Sequence, residues 1–274
     1  RMVVPALSLI SALAVHFALP NVYPEGYRSA VYPAVLGALL AVAVLLAALA
    51  VFFSGVRRVL VRDSWLFAAA VLLLSFWEVC TLKTGLAELP LMPSPDQVMF
   101  QLVDNFSLLG LDFLSSCKLL FMGLSVGFSL GIVSGLLMGW FRAVNYWVSP
   151  LMWVLGPLPA AVVLPIAVTV FPTNYSAGVG MISLSMWFAI TYNFGEAVKN
   201  IDVRLIESAR VLGASTPYIL FHVVIPETLP AIFSGLFMGL CFAFTSLLSA
   251  EMITCSDGLG GFIMWAKVGR AYDK

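Results

Sequence analysis

Long apolar runs separated by short polar breaks set the pattern of this chain, and each run of sufficient length predicts a membrane-crossing helix. Met2 to Leu19 is the first run, close to the lower limit of the roughly 20 residues a spanning helix needs. No small-x-small cleavage pattern follows it, so it reads as a retained helix and not as a signal peptide. Asn21 to Arg28, with Pro24, Glu25 and Gly26, reads as a loop. Val31 to Phe53 is a strong span. Gly55 to Asp63 breaks it with Arg57, Arg58 and Arg62, and Trp65 to Leu82 is the third run, with Glu78 inside it. Leu89-Pro-Leu-Met-Pro-Ser-Pro-Asp96 predicts a rigid extended turn. Ser94-Pro95 then opens an amphipathic helix over Asp96 to Leu108, too polar to span and expected to lie along the membrane surface. Phe113 to Trp140 is the fourth span. Tyr146 to Phe171 is the fifth, interrupted by Pro150, Pro157, Pro159 and Pro165, so it must kink and place its freed carbonyls against protein or water. Pro172 to Ser176 is a turn, Ala177 to Phe194 the sixth span and Leu229 to Ile253 the seventh. Thr254 to Lys274 reads as a glycine-rich loop and a short polar-ended segment.

Two stretches depart from plain hydropathy. In the fourth span Gly123, Gly127, Gly131, Gly135 and Gly139 recur at every fourth position, which sets small residues along one stripe where another helix backbone can approach. Between the sixth and seventh spans lies a polar island, Asp202 to Pro226, that predicts two short helices with a hinge. Asp202 is suited to cap the first helix, because its carboxylate can accept the free N–H groups of the first turn. Val203 to Leu212 then makes about three turns at 3.6 residues each, with Leu205, Ala209 and Leu212 on one face. Gly213 stands where a left-handed residue ends a helix. Thr216-Pro217 restarts one, with Thr216 as cap and Pro217 at the first helical position, and Pro226 ends it. Cap chemistry of this kind predicts a docking element for a partner outside the membrane.

Composition narrows the class. The chain has 274 residues, 61% hydrophobic and 10% charged, against about 25% charged in a soluble domain. Formal net charge is zero, and without a basic block nucleic-acid binding has no electrostatic support. The four cysteines (Cys80, Cys117, Cys241, Cys255) are scattered and the two histidines are His16 and His222, which offers no clustered metal ligands. An intramembrane enzyme would need clustered His, Asp or Cys, or a Ser/His pair. A secondary carrier would usually show an internal repeat, and none is found. A purely structural scaffold is disfavoured by the island's specific chemistry. With the island in the cytoplasm, Arg1, Arg57, Arg58, Arg62, Arg142, Lys199, Arg204 and Arg210 share its side, eight of the fourteen basic residues, as the positive-inside rule requires. The chain begins at Arg1 and not at Met, so the gene product is expected to extend beyond it.

Glu207-Ser208-Ala209, three residues, Gly213, nine residues, then Val223-Val224-Ile225-Pro226 resembles the "EAA loop" of binding-protein-dependent ABC importer permeases, Glu-Ala-Ala, three, Gly, nine, Ile-x-Leu-Pro. Ser208, Val223 and Ile225 are conservative departures and the spacing is intact. The resemblance covers residues 90 to 274. It looks most like the nitrate, sulfonate, taurine and bicarbonate branch, through the Leu89-Pro-Leu-Met-Pro-Ser-Pro95 segment, Pro157-Leu-Pro159, Leu164-Pro165, Ala250-Glu-Met252 and Gly258-Leu-Gly260. The family usually has one helix before its Pro-Ser-Pro segment, where three precede it here, and a last helix after the Gly-Leu-Gly segment, before which this sequence stops.

The resemblance implies an all-α, polytopic inner-membrane bundle of the type I importer kind with about seven spans. Residues 1–84 would form N-terminal helices, 85–112 an extracytoplasmic segment, and 113–274 the permease core with its coupling loop at 196–228. It implies a non-catalytic subunit. The chain lacks a Gly-x-x-x-x-Gly-Lys-Ser/Thr phosphate loop, and ATP and Mg are expected on a cytosolic ATPase dimer. The other expected partners are a second permease copy or a sister permease and an extracytoplasmic substrate-binding protein. Glu207, Ser208, Ala209, Gly213, Pro217 and Pro226 would couple to the ATPase. Ser185, Asn193, Thr245, Ser249 and Glu251 are candidates to line the path, with ordinary interhelical bonding as their alternative; Ser183, Thr191 and Ser246 share that choice. Glu251 is notable because a carboxylate within a membrane is costly and usually functional. The branch implies a small oxyanion such as a sulfonate, taurine or nitrate. The alternatives are an uncharged heterocycle such as a thiamine precursor, or a carrier working without an ATPase.

Overall fold

A computed structural model describes residues 3–20, 29–84, 92–156, 160–254 and 257–268. Regular structure among them is helical throughout. The chain divides into two compact units, one drawn from residues 1–109 with the final positions from Ala266, the other from Gly110–Trp265. The predicted loop at 21–28, the first three residues (89–91) of the Leu89–Asp96 turn and Pro157-Leu-Pro159 lie outside the described residues.

The first unit contains α1 (Val4–Ala18), α2 (Val31–Phe52), α3 (Ser54–Glu78), extended by a π-helical turn over Val79–Lys83, and α4 (Pro95–Asp104). Gly55 to Asp63, expected as a loop, is helical, and only Phe53 separates α2 from α3. Arginine and leucine are good helix formers, so charges can end an apolar run without ending a helix. The core is Leu9, Ala12, Tyr32, Leu36 and Val71, with Leu40, Phe67 and Met99 against it. Ser94 caps α4 through a reciprocal capping box with Gln97, and the Asp96 carboxylate accepts the Ser29 backbone N–H at 2.7 Å. Trp77 Nε1 donates to the Pro93 carbonyl at 3.1 Å. These bonds fasten the start of α4 to α2 and α3.

A buried ionisable group crosses this core. His16 Nδ1 and Glu78 Oε1 share a hydrogen bond of 2.7 Å, both side chains 0% exposed. Lys83 Nζ donates to the carbonyls of His16 and Leu19 at 2.7 and 2.8 Å, which satisfies orphan acceptors at the end of α1 and places a cation at the negative end of that helix.

The second unit contains α5 (Phe106–Trp140), α6 (Arg142–Leu155), α7 (Ala160–Val170), α8 (Asn174–Lys199), α9 (Val203–Val211), α10 (Thr216–Ile219), α11 (Ile225–Thr254) and α12 (Leu259–Val268). Among the described residues, α2, α3 with its π turn, α5, and α10 continued through α11 are long and apolar enough to cross a membrane. The fifth expected run is divided into α6 and α7, with Pro150 and Pro165 lying inside these helices. α8 is long but carries Ser183, Ser185, Thr191, Asn193 and Glu196, polarity it tolerates because protein encloses most of its faces.

The glycine stripe of α5 packs on α8. A Cβ on Gly123 would stand 2.5 Å from Ile182 Cβ, and one on Gly131 2.7 Å from Ile190 Cβ. Gly127 and Gly139 are as tight against Ser183 and Val198. From the other side Gly235 and Gly239 of α11 bring that helix onto Met186, Ala189 and Ile190 of α8. The tail differs from expectation: a helix, α12, starts within the Gly258-Leu-Gly260 segment.

The His16–Glu78 pair yields a stability prediction. Glu78→Leu alone should destabilise the first unit by about 3–5 kcal/mol, because it strands the imidazole in a buried site. The double variant His16→Leu/Glu78→Leu should lose clearly less. Thermal unfolding of both single variants and the double in detergent checks the order, and a double loss equal to the sum of the single losses would mean that the two side chains are not coupled.

Candidate functional site

The polar island folds as a capped, rooted helix pair. The Asp202 carboxylate accepts the Arg204 N–H at 2.9 Å, and the Ser208 hydroxyl donates to the Arg204 carbonyl at 2.6 Å. At the far end the Gly213 N–H donates to Arg210 O at 2.9 Å and the Ala214 N–H to Ala209 O at 3.0 Å. This is the paired bonding of a Schellman ending, with Gly213 at φ +82°. Nothing lies within 4 Å of a Cβ built there, so the glycine is required by backbone conformation alone.

Ser215, and not Thr216, occupies the cap position of α10, and Thr216 and Pro217 form its first turn. Pro226 does not end the helix. A π-helical turn over Leu220–Val224 leads directly into α11, and Pro226 is its second residue. The wider turn needs no N–H from the proline and leaves space for its ring.

The face that turns inward also differs from expectation. Ile206, Ala209, Ala214 and Ile219 pack with Phe194 and Val198 of α8, Val224 and Ile232, with Leu136 and Trp140 of α5 alongside. Leu205 and Leu212 are exposed instead of sharing a face with Ala209. Val211 and Leu212, beside the Gly213 turn, are both 87% exposed. Glu207, Ser208, Pro217 and Pro226 are exposed as well. The island therefore has an apolar root and an outer surface that mixes charge with uncovered aliphatic side chains, the composition of a docking face.

The candidate path residues fall into three settings. Ser185 and Asn193 serve helix packing: Ser185 shares a hydrogen bond with Ser246 of α11, and Asn193 Nδ2 donates to Ala189 O at 2.8 Å. Ser183 donates to Gly123 O at 3.0 Å, and Thr191 pairs with Ser134 at 2.7 Å, where Trp187 Nε1 also donates at 2.9 Å. Thr245 and Ser249 are different. With Ser234 and Cys241 they form a stripe of small polar residues along α11, at helical spacing and only partly covered at Ser249. Their hydroxyls donate back to the carbonyls of Cys241 and Thr245 at 3.0 and 2.9 Å.

Glu251 is 0% exposed. Its Oε2 accepts the Gly260 N–H at 2.8 Å, and the Leu259 N–H donates to the Ser116 hydroxyl of α5 at 3.0 Å. The start of α12 is thus held by α11 and α5 together, a carboxylate at a helix N-terminus being favourable in itself. Gly258, at φ +138°, folds so closely around Glu251 that a Cβ would overlap its carboxylate. Sequence spacing gives no sign of the Ser116 contact, which spans most of the unit.

A family model described as the binding-protein-dependent transport system inner membrane component matches residues 127–274. The chain belongs to this family. It is an ABC importer permease subunit, a multi-pass protein of the bacterial inner membrane, within the nitrate, sulfonate, taurine and bicarbonate branch. A probable ABC transporter permease of Brucella melitensis is 30% identical over 172 residues, 62% of this chain and 70% of the relative. The taurine transport system permease protein of Escherichia coli is 28% identical over 204 residues, 72% and 74% of the two chains. The formylaminopyrimidine transport permease of Halalkalibacterium halodurans is 27% identical over 193 residues, 70% and 76%. The island, α8, α11 and α5 from Gly127 onward lie in the part of the permease that the family model covers; Gly123 and the earlier part of α5 precede it.

The Glu251 corner can be tested in the intact permease. Gly258→Ala should destabilise it by about 1–3 kcal/mol from backbone strain, with the carboxylate overlap added. Glu251→Ala combined with Gly258→Ala should lose less than the sum of the single changes, because the overlap is gone. Additive losses in unfolding midpoints would dissociate the two residues.

Proposed function

We propose that this permease carries a small solute across the inner membrane, with its 202–226 element seated on a cytosolic ATPase dimer that holds ATP and Mg. The observation that carries this reading is the pair of aliphatic side chains, Val211 and Leu212, left uncovered at the tip of a helix pair whose other face packs, partly buried, against the α8 cluster. Glu207, Ser208, Ala209, Gly213, Pro217 and Pro226 are the coupling residues. Ala209 roots the helix, Gly213 sets the hinge, Glu207 offers a carboxylate to a basic partner, and the two prolines stiffen the return into α11. A second permease copy or a sister permease completes the path, and an extracytoplasmic binding protein delivers the solute. The path runs along the Thr245–Ser249 stripe of α11. Ser185 and Asn193 hold α8 beside it, and Glu251 holds the α11–α12 corner.

Gly213→Asp is the test of coupling. Asp tolerates a left-handed backbone better than most residues, so the chain inserts and folds. The added charge at the docking tip should reduce transport and stimulated ATP hydrolysis at least tenfold. Full transport with full ATPase stimulation in Gly213→Asp would remove the coupling role.

For the solute, the taurine relative supports a small oxyanion such as a sulfonate, taurine or nitrate. The formylaminopyrimidine relative, at almost the same identity, supports an uncharged heterocycle as the second reading. The cognate binding protein decides between them. A thermal shift with sulfonates or nitrate and none with pyrimidines is the expected result, and the reverse pattern selects the heterocycle.

A further inference from the structure

Three buried polar atoms of the first unit have no hydrogen-bond partner in the protein: His16 Nε2, the Tyr32 hydroxyl and Glu78 Oε2. They belong to one cluster. His16 and Glu78 share their 2.7 Å bond through Nδ1 and Oε1, and the imidazole and the Tyr32 ring lie 5.6 Å apart, centroid to centroid. The Glu78 carboxylate is near enough for its charge to act on the Tyr32 hydroxyl. His16 and Glu78 are 0% exposed and Tyr32 1%, so bulk solvent reaches none of them. Native proteins rarely keep one buried polar atom unbonded. Three in adjoining side chains on α1, α2 and α3 point to a common occupant.

The neighbouring polar groups are bonded to others. The Thr81 hydroxyl donates to the Trp77 carbonyl at 2.9 Å, Lys83 Nζ to the carbonyls of His16 and Leu19, and the Asp96 carboxylate accepts the Ser29 N–H. The chemistry of the three atoms then selects the ligand. An ionised Glu78 Oε2 only accepts, the Tyr32 hydroxyl donates and accepts, and His16 Nε2 does one or the other according to its proton. A metal cation would serve acceptors alone. It would find few oxygens for its shell, beside a carboxylate already shared with His16 and with the Lys83 ammonium close by. An anion would serve donors alone, next to Glu78. A ligand that donates and accepts at once suits all three atoms in every protonation state of the pair.

We propose that this cluster binds an ordered water molecule, which accepts from the Tyr32 hydroxyl, donates to Glu78 Oε2 and makes its remaining bond with His16 Nε2. Buried waters typically make about three such bonds. The water ties α2 to the α1–α3 pair, which the His16–Glu78 bond alone does not do. His16 lies in the last turn of α1, Tyr32 in the first of α2, and Glu78 at the end of α3 where its π turn begins, so the site joins the three helices at one end. It uses only first-unit residues and does not depend on the coupling reading.

The test is thermal unfolding of the full chain in detergent, with Tyr32→Phe placed in two backgrounds. In wild type the change removes the donor to the water and should lower the unfolding midpoint by about 3 °C. In His16→Leu/Glu78→Leu, where the water has lost its other contacts, the same change should leave the midpoint unchanged or raise it, because it removes a stranded hydroxyl. A rise or no change in wild type overturns the proposal, since the hydroxyl is then unbonded. An equal fall in both backgrounds overturns it too, since the partner of the hydroxyl then lies elsewhere. A direct Tyr32–Glu78 bond would give the same dependence on background, and NMR separates the two. The chain has two histidines, of which His222 is exposed. The ring protons of His16 should show a cross-relaxation peak to a long-lived water, lost in Tyr32→Phe. A midpoint that falls in wild type with no such peak assigns the bond to Glu78 itself and overturns the water.

Discussion

The close approach of α8 to its two neighbours is the contact on which the permease core depends. Between helices in lipid there is little hydrophobic drive, because hydrocarbon tails solvate an apolar face as well as another helix does. Association must come from dense contact and from hydrogen bonds. Glycines supply the contact: Gly123, Gly127, Gly131, Gly135 and Gly139 of α5 on one side, Gly235 and Gly239 of α11 on the other. Enclosed in this way, α8 can carry Ser183, Ser185, Thr191 and Asn193, because each hydroxyl or amide finds a partner on its own helix or a neighbouring one. Widening the spacing at one glycine would loosen the packing and part the hydrogen bonds that depend on it.

That enclosure also determines how the proposed docking element is held. Phe194 and Val198 lie near the end of α8 and form the floor on which Ile206, Ala209 and Ile219 rest. The island is therefore an extension of the packed core. A push on Val211 or Leu212 would pass through Ala209 and Ile206 into α8, and through α10 and the π turn into α11. Helices that interdigitate at this density do not deform continuously; they shift as bodies. A π turn at Leu220–Val224 is the natural place for α11 to bend against such a push, since its hydrogen bonding already departs from the regular ladder.

Much of this was legible in the residues, and the exceptions have physical causes. The glycine spacing on α5 predicted a packing stripe, and the stripe meets α8. Asp202 and Gly213 could be read because cap and left-handed positions depend on local backbone chemistry. The Arg57–Asp63 segment reads as a loop because hydropathy reports compatibility with lipid and says nothing of the helix itself. Pro226 reads as a terminator because the π turn that accommodates it leaves no mark in composition. On α9 the apolar residues outnumber the inward positions, so Leu205, Ala209 and Leu212 could be aligned on paper while Ile206 and Ala209 took the core. For Glu251, one residue type served two expectations: a carboxylate inside a membrane can line a path or hold a backbone. The distinction lay in Gly258 and Gly260, whose missing side chains let the chain wrap around it.

If the path runs along the α11 stripe as proposed, its lining would discriminate weakly between solutes. Thr245 and Ser249 have committed their hydroxyl protons to carbonyls on their own helix, which leaves oxygen lone pairs as the groups they present. Lone pairs without free donors, beside the weakly polar thiol of Cys241, cannot form a tight anion site, since anions need N–H or O–H groups or a cation. On the proposed path they would keep the passage wet enough for a polar solute to cross without a deep well. Conduction requires binding strong enough to enter and weak enough to leave, and a surface of spent hydroxyls meets the second condition. On the proposed path, selectivity for one solute would have to be imposed before the solute reaches α11, the task proposed for the extracytoplasmic binding protein.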